Sequence, residues 1–304
     1  MDTPSPSPPA EAAPKEPFRK RRPVLFWLGV CIVLGGAITA FANWLAEDEE
    51  NLFGREYLAI VRVEGFIGDT RKQLAWIDRL ARDKRVKGVL LRVNSPGGSA
   101  AASHELYDAL RRLAAIKPVY ASMGSVAASG GLMAALAAER ILATPTTITG
   151  SIGVKMAIPQ VQGLMEKLGL HRESIASGKY KDVASPFRAM TQDERTYLTE
   201  IIDDMHKSFV TLVAQARQLP EEKVLAMADG RILTGTKALE LGLVDELGGQ
   251  SEALRQLRAA AQVELRTLLL EQPKEGRFLR ELLESLLGIK LDAQMSMPEF
   301  LYIY

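Results

Sequence analysis

A serine hydroxyl flanked by residues too small to shield it stands in Gly124-Ser125-Val126-Ala127-Ala128-Ser129-Gly130-Gly131. Pro118-Val119-Tyr120-Ala121-Ser122-Met123 before it reads as a short buried strand. Leu132-Met133-Ala134-Ala135-Leu136-Ala137-Ala138 after it reads as a helix. At such a strand-to-helix turn Ser129 projects its oxygen from the sheet edge, and backbone N–H groups point at whatever that oxygen attacks. Ser125 is the competing hydroxyl, but it precedes the turn. The same stretch also suits a plain glycine-rich turn that lets a helix pack closely on a sheet, so the chemistry needs partners elsewhere in the chain.

A serine is a weak nucleophile near neutral pH without a base in hydrogen-bond reach and donors for the oxyanion it creates. Histidine is the usual base. His104, His171 and His206 fall in helix- or strand-like segments with no motif around them, and none is expected to face Ser129 or to form a zinc site. A lysine serves equally once burial disfavours its ammonium form. Lys179 and Lys181 lie in the loop Ser177-Gly178-Lys179-Tyr180-Lys181-Asp182, where each also reads as a solvated lysine. The single cysteine, Cys31, excludes an internal disulfide and a cysteine metal cluster. No metal or nucleotide cofactor is required. Lys+Arg total 38 against 37 Asp+Glu, so net charge gives no support to a nucleic-acid partner.

These residues need a scaffold. Strands are expected at Tyr57 to Val63, Val86 to Asn94, Arg140 to Ala143 and His171 to Ala176. Gly65 to Gly68 reads as a turn, Ser95-Pro96-Gly97-Gly98-Ser99 as a loop, and Thr149 to Val154 as a tight loop. Helices are expected at Thr70 to Asp83, Ala100 to Ala115 and Ile158 to Leu168. Thr191-Gln192-Asp193-Glu194 is a capping-box pattern that should open a long helix reaching about Gln218. Further helices follow at Glu221 to Ala228, at Thr234 to Leu241 closed by Gly242, from a Ser251 cap to about Ala261, and at Arg277 to Leu287. Strands alternating with helices indicate stacked βαβ units around a mostly parallel sheet.

The N-terminal part differs in kind. Residues 1–23 are Pro/Ala-rich and end in Phe18-Arg19-Lys20-Arg21-Arg22. From Val24 to Leu45 there is no charge, and a helix of that length is about 33 Å long, enough to cross a bilayer core. Trp27 and Trp44 lie near its ends, and Glu47-Asp48-Glu49-Glu50 follows. Basic before and acidic after places the N-terminus in the cytoplasm and the rest outside. Ala40-Phe41-Ala42 offers a cleavage site for the rival reading, a removed signal peptide. Residues 46–56 read as a linker, 57–270 as the main domain, and 271–304 as a C-terminal helix and apolar tail.

Five segments stand in order. They are Asn94-Ser95-Pro96-Gly97-Gly98, the Ser129 stretch, Thr149-Gly150-Ser151-Ile152-Gly153-Val154, the Lys181 loop, and Gly230-Arg231-Ile232-Leu233-Thr234-Gly235 leading into Ala238 to Asp245. Together they resemble the short form of the bacterial signal peptide peptidase A family, Ser/Lys proteases with a Clp-protease/crotonase-like α/β fold. The resemblance covers roughly Tyr57 to Ala261. By position it implies Ser129 as nucleophile, Lys181 and not Lys179 as general base, and Ser151 as the serine that holds the lysine. It implies Gly98 or Gly97 and the N–H of Gly130 as oxyanion donors. The small residues around Ser129 suggest a narrow apolar pocket for Ala- or Leu-like side chains.

The resemblance further implies signal-peptide substrates, a bacterial cytoplasmic-membrane location with the catalytic domain outside, and a ring-shaped homo-oligomer of eight in which Ser129 of one copy meets Lys181 of the next. Two alternatives stand beside it: a crotonase-fold acyl-CoA enzyme, and a membrane-anchored scaffold without catalysis.

Overall fold

A computed structural model of the 304-residue chain describes residues 27, 32–37 and 56–272. The chain divides into Met1–Arg55 and Glu56–Tyr304, and the architecture below belongs to the second unit. Most of the expected membrane span lies outside the described residues, as do the basic tail, the helix at Arg277 to Leu287 and the final apolar tail. No helix among the described residues is long and apolar enough to cross a membrane.

The second unit is a mixed α/β layer structure around one sheet. Its strands are β1 (Tyr57–Ile67), β2 (Val86–Gly98), β3 (Val119–Ala128), β4 (Arg140–Ala143), β5 (Ile148–Gly150), β6 (Ile232–Thr234), β7 (Glu246–Leu247) and β8 (Leu268–Glu271). The main path runs β6-β5-β3-β2-β1-β8, and β4 joins β3 to β7. Every pairing is parallel except β5 with β6. Parallel strands need crossovers, and helices supply them: α1 (Arg71–Arg82) between β1 and β2, α2 (Ala100–Ala114) between β2 and β3, and α3 (Gly130–Ala135) after β3. The remaining helices are α4 (Gln162–Lys167), α5 (Gln192–Arg217), α6 (Glu221–Leu225), α7 (Gly235–Leu241) and α8 (Gln250–Ala260).

Both faces of the central strands are covered, so they read as continuous apolar runs rather than alternating ones. On one face Val61, Val63, Leu91, Val93 and Met123 meet Leu80 of α1, Leu106 and Leu110 of α2, and Leu132 of α3. On the other face Leu58, Ile60, Leu90 and Leu142 meet Ala253 and Leu257 of α8. The α1 seam carries Trp76, whose indole N–H donates to Ile60 O at 3.0 Å. The capping box forms as expected: Thr191 Oγ1 accepts from Glu194 N–H and the Glu194 carboxylate accepts from Thr191 N–H.

Several expected boundaries move. The Ser95 to Ser99 loop is largely strand, because after a register shift Phe66 and Ile67 pair with Gly97 and Gly98. The same pairing absorbs much of the Gly65 to Gly68 turn into β1. Gly150 pairs with Ala128 and with Ile232, which turns the first part of the expected tight loop into β5. His171 to Ala176 is not a strand: its residues are exposed and no neighbouring strand pairs with them. The helix expected from Ile158 shortens to α4, which has no buried residue. Gly249, not Ser251, is the N-cap of α8.

Candidate active site

The sheet delivers Ser129 at the C-terminal end of β3. Its backbone is wound to φ 52° and ψ −115° immediately before α3 begins. A non-glycine residue held there costs about 1–3 kcal/mol and persists only when its surroundings over-determine it. They do so on both sides. Ser129 N–H donates to Gly150 O at 2.8 Å, and Met133 N–H donates to Ser129 O at 2.8 Å. The buried hydroxyls of Thr147 and Thr149 donate to Gly124 O (2.8 Å) and Ala127 O (2.6 Å), fixing the strand that leads into the turn.

Two glycines make this closeness possible. A Cβ on Gly130 would lie 2.2 Å from Ser103 Oγ and 3.3 Å from Gly97 Cα, so α2 and the end of β2 press against the Ser129 turn. Gly97 has φ 110°, a conformation that L side chains avoid. Its N–H donates to Ser95 Oγ at 3.1 Å, and Ser95 Oγ donates to Gly65 O at 2.6 Å. Of the two oxyanion donors expected from this stretch, the Gly97 N–H is therefore engaged, and Gly98, paired with Ile67, is not without a partner either.

Ser129 and Gly130 open onto a cavity of about 590 Å3. Ala100 and Ala101 of α2, Met133 of α3, Val154, and Met205 and Phe209 of α5 supply its apolar lining, and Ser103, His104, Glu105, Asp204 and Ser208 its polar lining. The narrow apolar pocket expected from the sequence is thus wider and more polar, because α2 and α5 both turn charged positions toward it. His104 also corrects an expectation: it lies on a helix yet lines the cavity of Ser129. Its Nε2 stands 3.8 Å from the Asp108 carboxylate.

Ser151 directly follows Gly150, the partner of the Ser129 N–H, and shares the unusual backbone with φ 51°. It lines a second cavity of about 370 Å3 with Lys155, Asp203, His206 and Asp229, and Gly153 and Val154 border both cavities. The fold therefore brings together Ser129, Gly130, Gly97, Gly98 and Ser151. Lys181 stands apart. It is exposed in a turn, its N–H bonded to Gly178 O, and it lines neither cavity. Among the described residues, Ser129 Oγ, Ser151 Oγ and Lys181 Nζ make no hydrogen bond. Lys179 is different: its ammonium lies 2.5 Å from Asp193, and the hydrogen bond to Asp193, then that to Tyr180, raises its pKa.

Sequence reading missed Ser103, His104, Lys155 and the α5 lining. For Ser103 a signal was present. It occupies the same apolar stripe as Leu106 and Leu110, where a hydroxyl is out of place on a buried helix face.

Residues 111–264 match the model of peptidase family S49. A Methanocaldococcus jannaschii protein named as a protease is 39% identical over 249 residues, 77% of this chain and 80% of that protein. The chain belongs to peptidase family S49. A signal peptide peptidase SppA by name, from Enterococcus faecium, is 36% identical over 211 residues, 69% of this chain and 58% of that protein. Protease 4 of Haemophilus influenzae is 38% identical over 209 residues, 65% of this chain and 34% of that one. A ClpP1 mutant from Listeria monocytogenes superposes with a TM-score of 0.42 at 20% identity, covering 64% of this chain and 94% of its own. Membership makes this S49 peptidase a serine protease and sets the acyl-CoA alternative aside. The matched residues run from the end of α2 through α8 and contain Ser129, Ser151 and Lys181.

Proposed function

We propose that this S49 peptidase is a membrane-anchored endopeptidase in which Ser129 is the nucleophile and Lys181 of a neighbouring copy is the base. The observation that carries the reading is the wound Ser129 turn at a cavity mouth, with its hydroxyl unpaired and the Lys181 amine, also unpaired, elsewhere on the same chain. In the first half-reaction the neutral Lys181 amine takes the Ser129 proton as Oγ bonds the substrate carbonyl carbon. In this reading the oxyanion donors are the N–H of Gly130 and that of Gly98 or Gly97. Collapse breaks the peptide bond, and the lysine ammonium passes its proton to the leaving amine. Water, deprotonated by the same lysine, then attacks the ester and releases Ser129. Ser151, one residue beyond the strand bonded to Ser129, is the residue that holds the incoming amine in this reading. The apolar run at 24–45 and the relatives' names favour signal peptides and other membrane-derived peptides as substrates, and a ring of copies is the assembly that a site shared between neighbours requires.

Mixing inactive subunits tests the reading. Ser129→Ala and Lys181→Ala chains, each dead alone, should recover peptidase activity when co-assembled, and a fluorophosphonate should label Ser129 in the mixture. A second reading, in which His104 is a base within one chain, rests on its place in the Ser129 cavity. It predicts no complementation, retention of labelling in Lys181→Ala, and loss in His104→Ala.

A further inference from the structure

The edge of the sheet opposite the Ser129 opening is strongly basic. Tyr57 pairs with Val86, and Val89 with Val119, so β1, β2 and β3 start from one edge. Helices α1 and α2 both end there, with Arg79 and Arg82 in one last turn and Arg111 and Arg112 in the other. Glu56 and residues 78–87 and 111–117 together carry eight Lys/Arg against three Asp/Glu. The acids are largely spent within the fold. Asp83 accepts from Arg85 and from the Tyr57 hydroxyl, Glu56 pairs with Lys87 at 2.7 Å, and Asp78 lies 3.5 Å from Arg82, an exposed pair that salt and lipid headgroups can replace. The Lys117 ammonium ties the two turns together through Asp83 O and Val86 O. Among the described residues no ion pair holds Arg79, Lys84, Arg111 or Arg112. Ile116, two residues past the end of α2, is 61% exposed.

We infer that this edge seats on an anionic lipid surface, with Arg79, Arg82, Lys84, Arg111 and Arg112 against headgroups and Ile116 at the acyl boundary. Three features point to lipid. Clustered cations beside an exposed aliphatic side chain match a bilayer interface, which offers negative charge and an apolar layer at adjacent depths. The near balance of 38 Lys+Arg against 37 Asp+Glu over the whole chain gives no support to a nucleic acid. The chain also enters this unit at Glu56, on the same edge, ten residues after the uncharged run 24–45 in sequence. That last argument rests on the anchor reading, whereas the charge and Ile116 do not. A lipid-seated edge sets Ser129, at the far end of the ten-residue β3, about 30 Å from the headgroups. A membrane-derived peptide then reaches the nucleophile only after leaving the bilayer.

The test uses the full chain carrying Cys31→Ser and Ile116→Cys, labelled with an environment-sensitive fluorophore. It is mixed with vesicles of phosphatidylcholine alone or of phosphatidylcholine with phosphatidylglycerol. Sedimentation with both vesicles reads the anchor; fluorophore emission reads the edge. Emission should shift to the blue on anionic vesicles only, and the shift should disappear at high salt and in the Arg79→Glu, Arg82→Glu, Arg111→Glu, Arg112→Glu variant. If that variant fails to fold, judged by circular dichroism, Arg111→Gln with Arg112→Gln is read instead and should lose at least half of the shift. Equal emission on the two vesicles, or an equal shift with a single-stranded oligonucleotide in place of lipid, overturns the inference. Failure to sediment with neutral vesicles removes the anchor and leaves the edge to be decided by emission.

Discussion

One methyl group added at Gly130 probes the closeness on which the site is built. The new Cβ would lie 2.2 Å from Ser103 Oγ, 3.0 Å from Ser103 Cβ and 3.3 Å from Gly97 Cα. Non-bonded carbon contacts settle near 3.5 Å, so α2 or the nucleophile turn must yield by roughly 1 Å. Overpacking of this kind costs about 1–3 kcal/mol, a fall of about 2–12 °C in Tm for a domain of this size. Alanine's superior helix propensity works in the opposite direction, so a measured loss reports the clash. Ser103→Ala supplies the control. Ser103 Oγ is buried without a hydrogen-bond partner, so its removal alone should leave Tm unchanged or raise it. It should also absorb a large share of the Gly130→Ala penalty, with the 3.0 Å approach of Ser103 Cβ accounting for what remains. Scanning calorimetry of the four proteins gives the coupling, and the rate of fluorophosphonate labelling reports whether the turn has moved. A Gly130→Ala protein as stable as wild type, or strictly additive effects in the pair, would refute the packing argument.

Two further outcomes are expected. Lys181→Arg should abolish peptide turnover because a guanidinium stays protonated, whereas Lys179→Arg should keep most of it, since Lys179 already serves as a cation for Asp193; the reverse pattern in a peptidase assay would exchange their roles. Glu194 is held at about 2 by the hydrogen bond from Arg188 and then by that from the Thr191 N–H, against an ordinary 4.5. Its folded pKa is the lower one, so its contribution is complete above about pH 4.5 and is lost as pH falls toward 2. Hydrogen exchange at the start of α5 should rise across that window, and Glu194→Gln should show the loosened start at neutral pH.

The parallel sheet was legible because its strands are short apolar runs separated by amphipathic helices, and the Thr191 capping box because its chemistry is local. The Ser129 strand-to-helix turn was legible as geometry because small residues join an apolar strand to an apolar helix there, whereas its chemistry was legible only together with segments elsewhere in the chain. What escaped depends on distant partners. Ser95 to Gly98 reads as a loop until Phe66 and Ile67 lie beside it, and β6 has three residues, too few to show a period. His104 escaped because a histidine on a helix announces nothing until α2 meets the β3 turn. His171 to Ala176 failed in the opposite sense, with strand-like composition and no strand to pair with.

The segment carrying Lys181 has a consequence in time. Residues 153–193 contain no buried residue, whereas Ser129 is 1% exposed and belongs to the sheet. Opening the first costs little, and displacing the second means breaking the core. A folded copy therefore holds Ser129 firmly, while its Lys181-bearing segment stays the most easily rearranged part of the unit. Under the shared-site reading such a copy is folded yet silent, and it matures when a neighbour captures that segment. The safeguard against premature proteolysis is then the weakness of one stretch of chain.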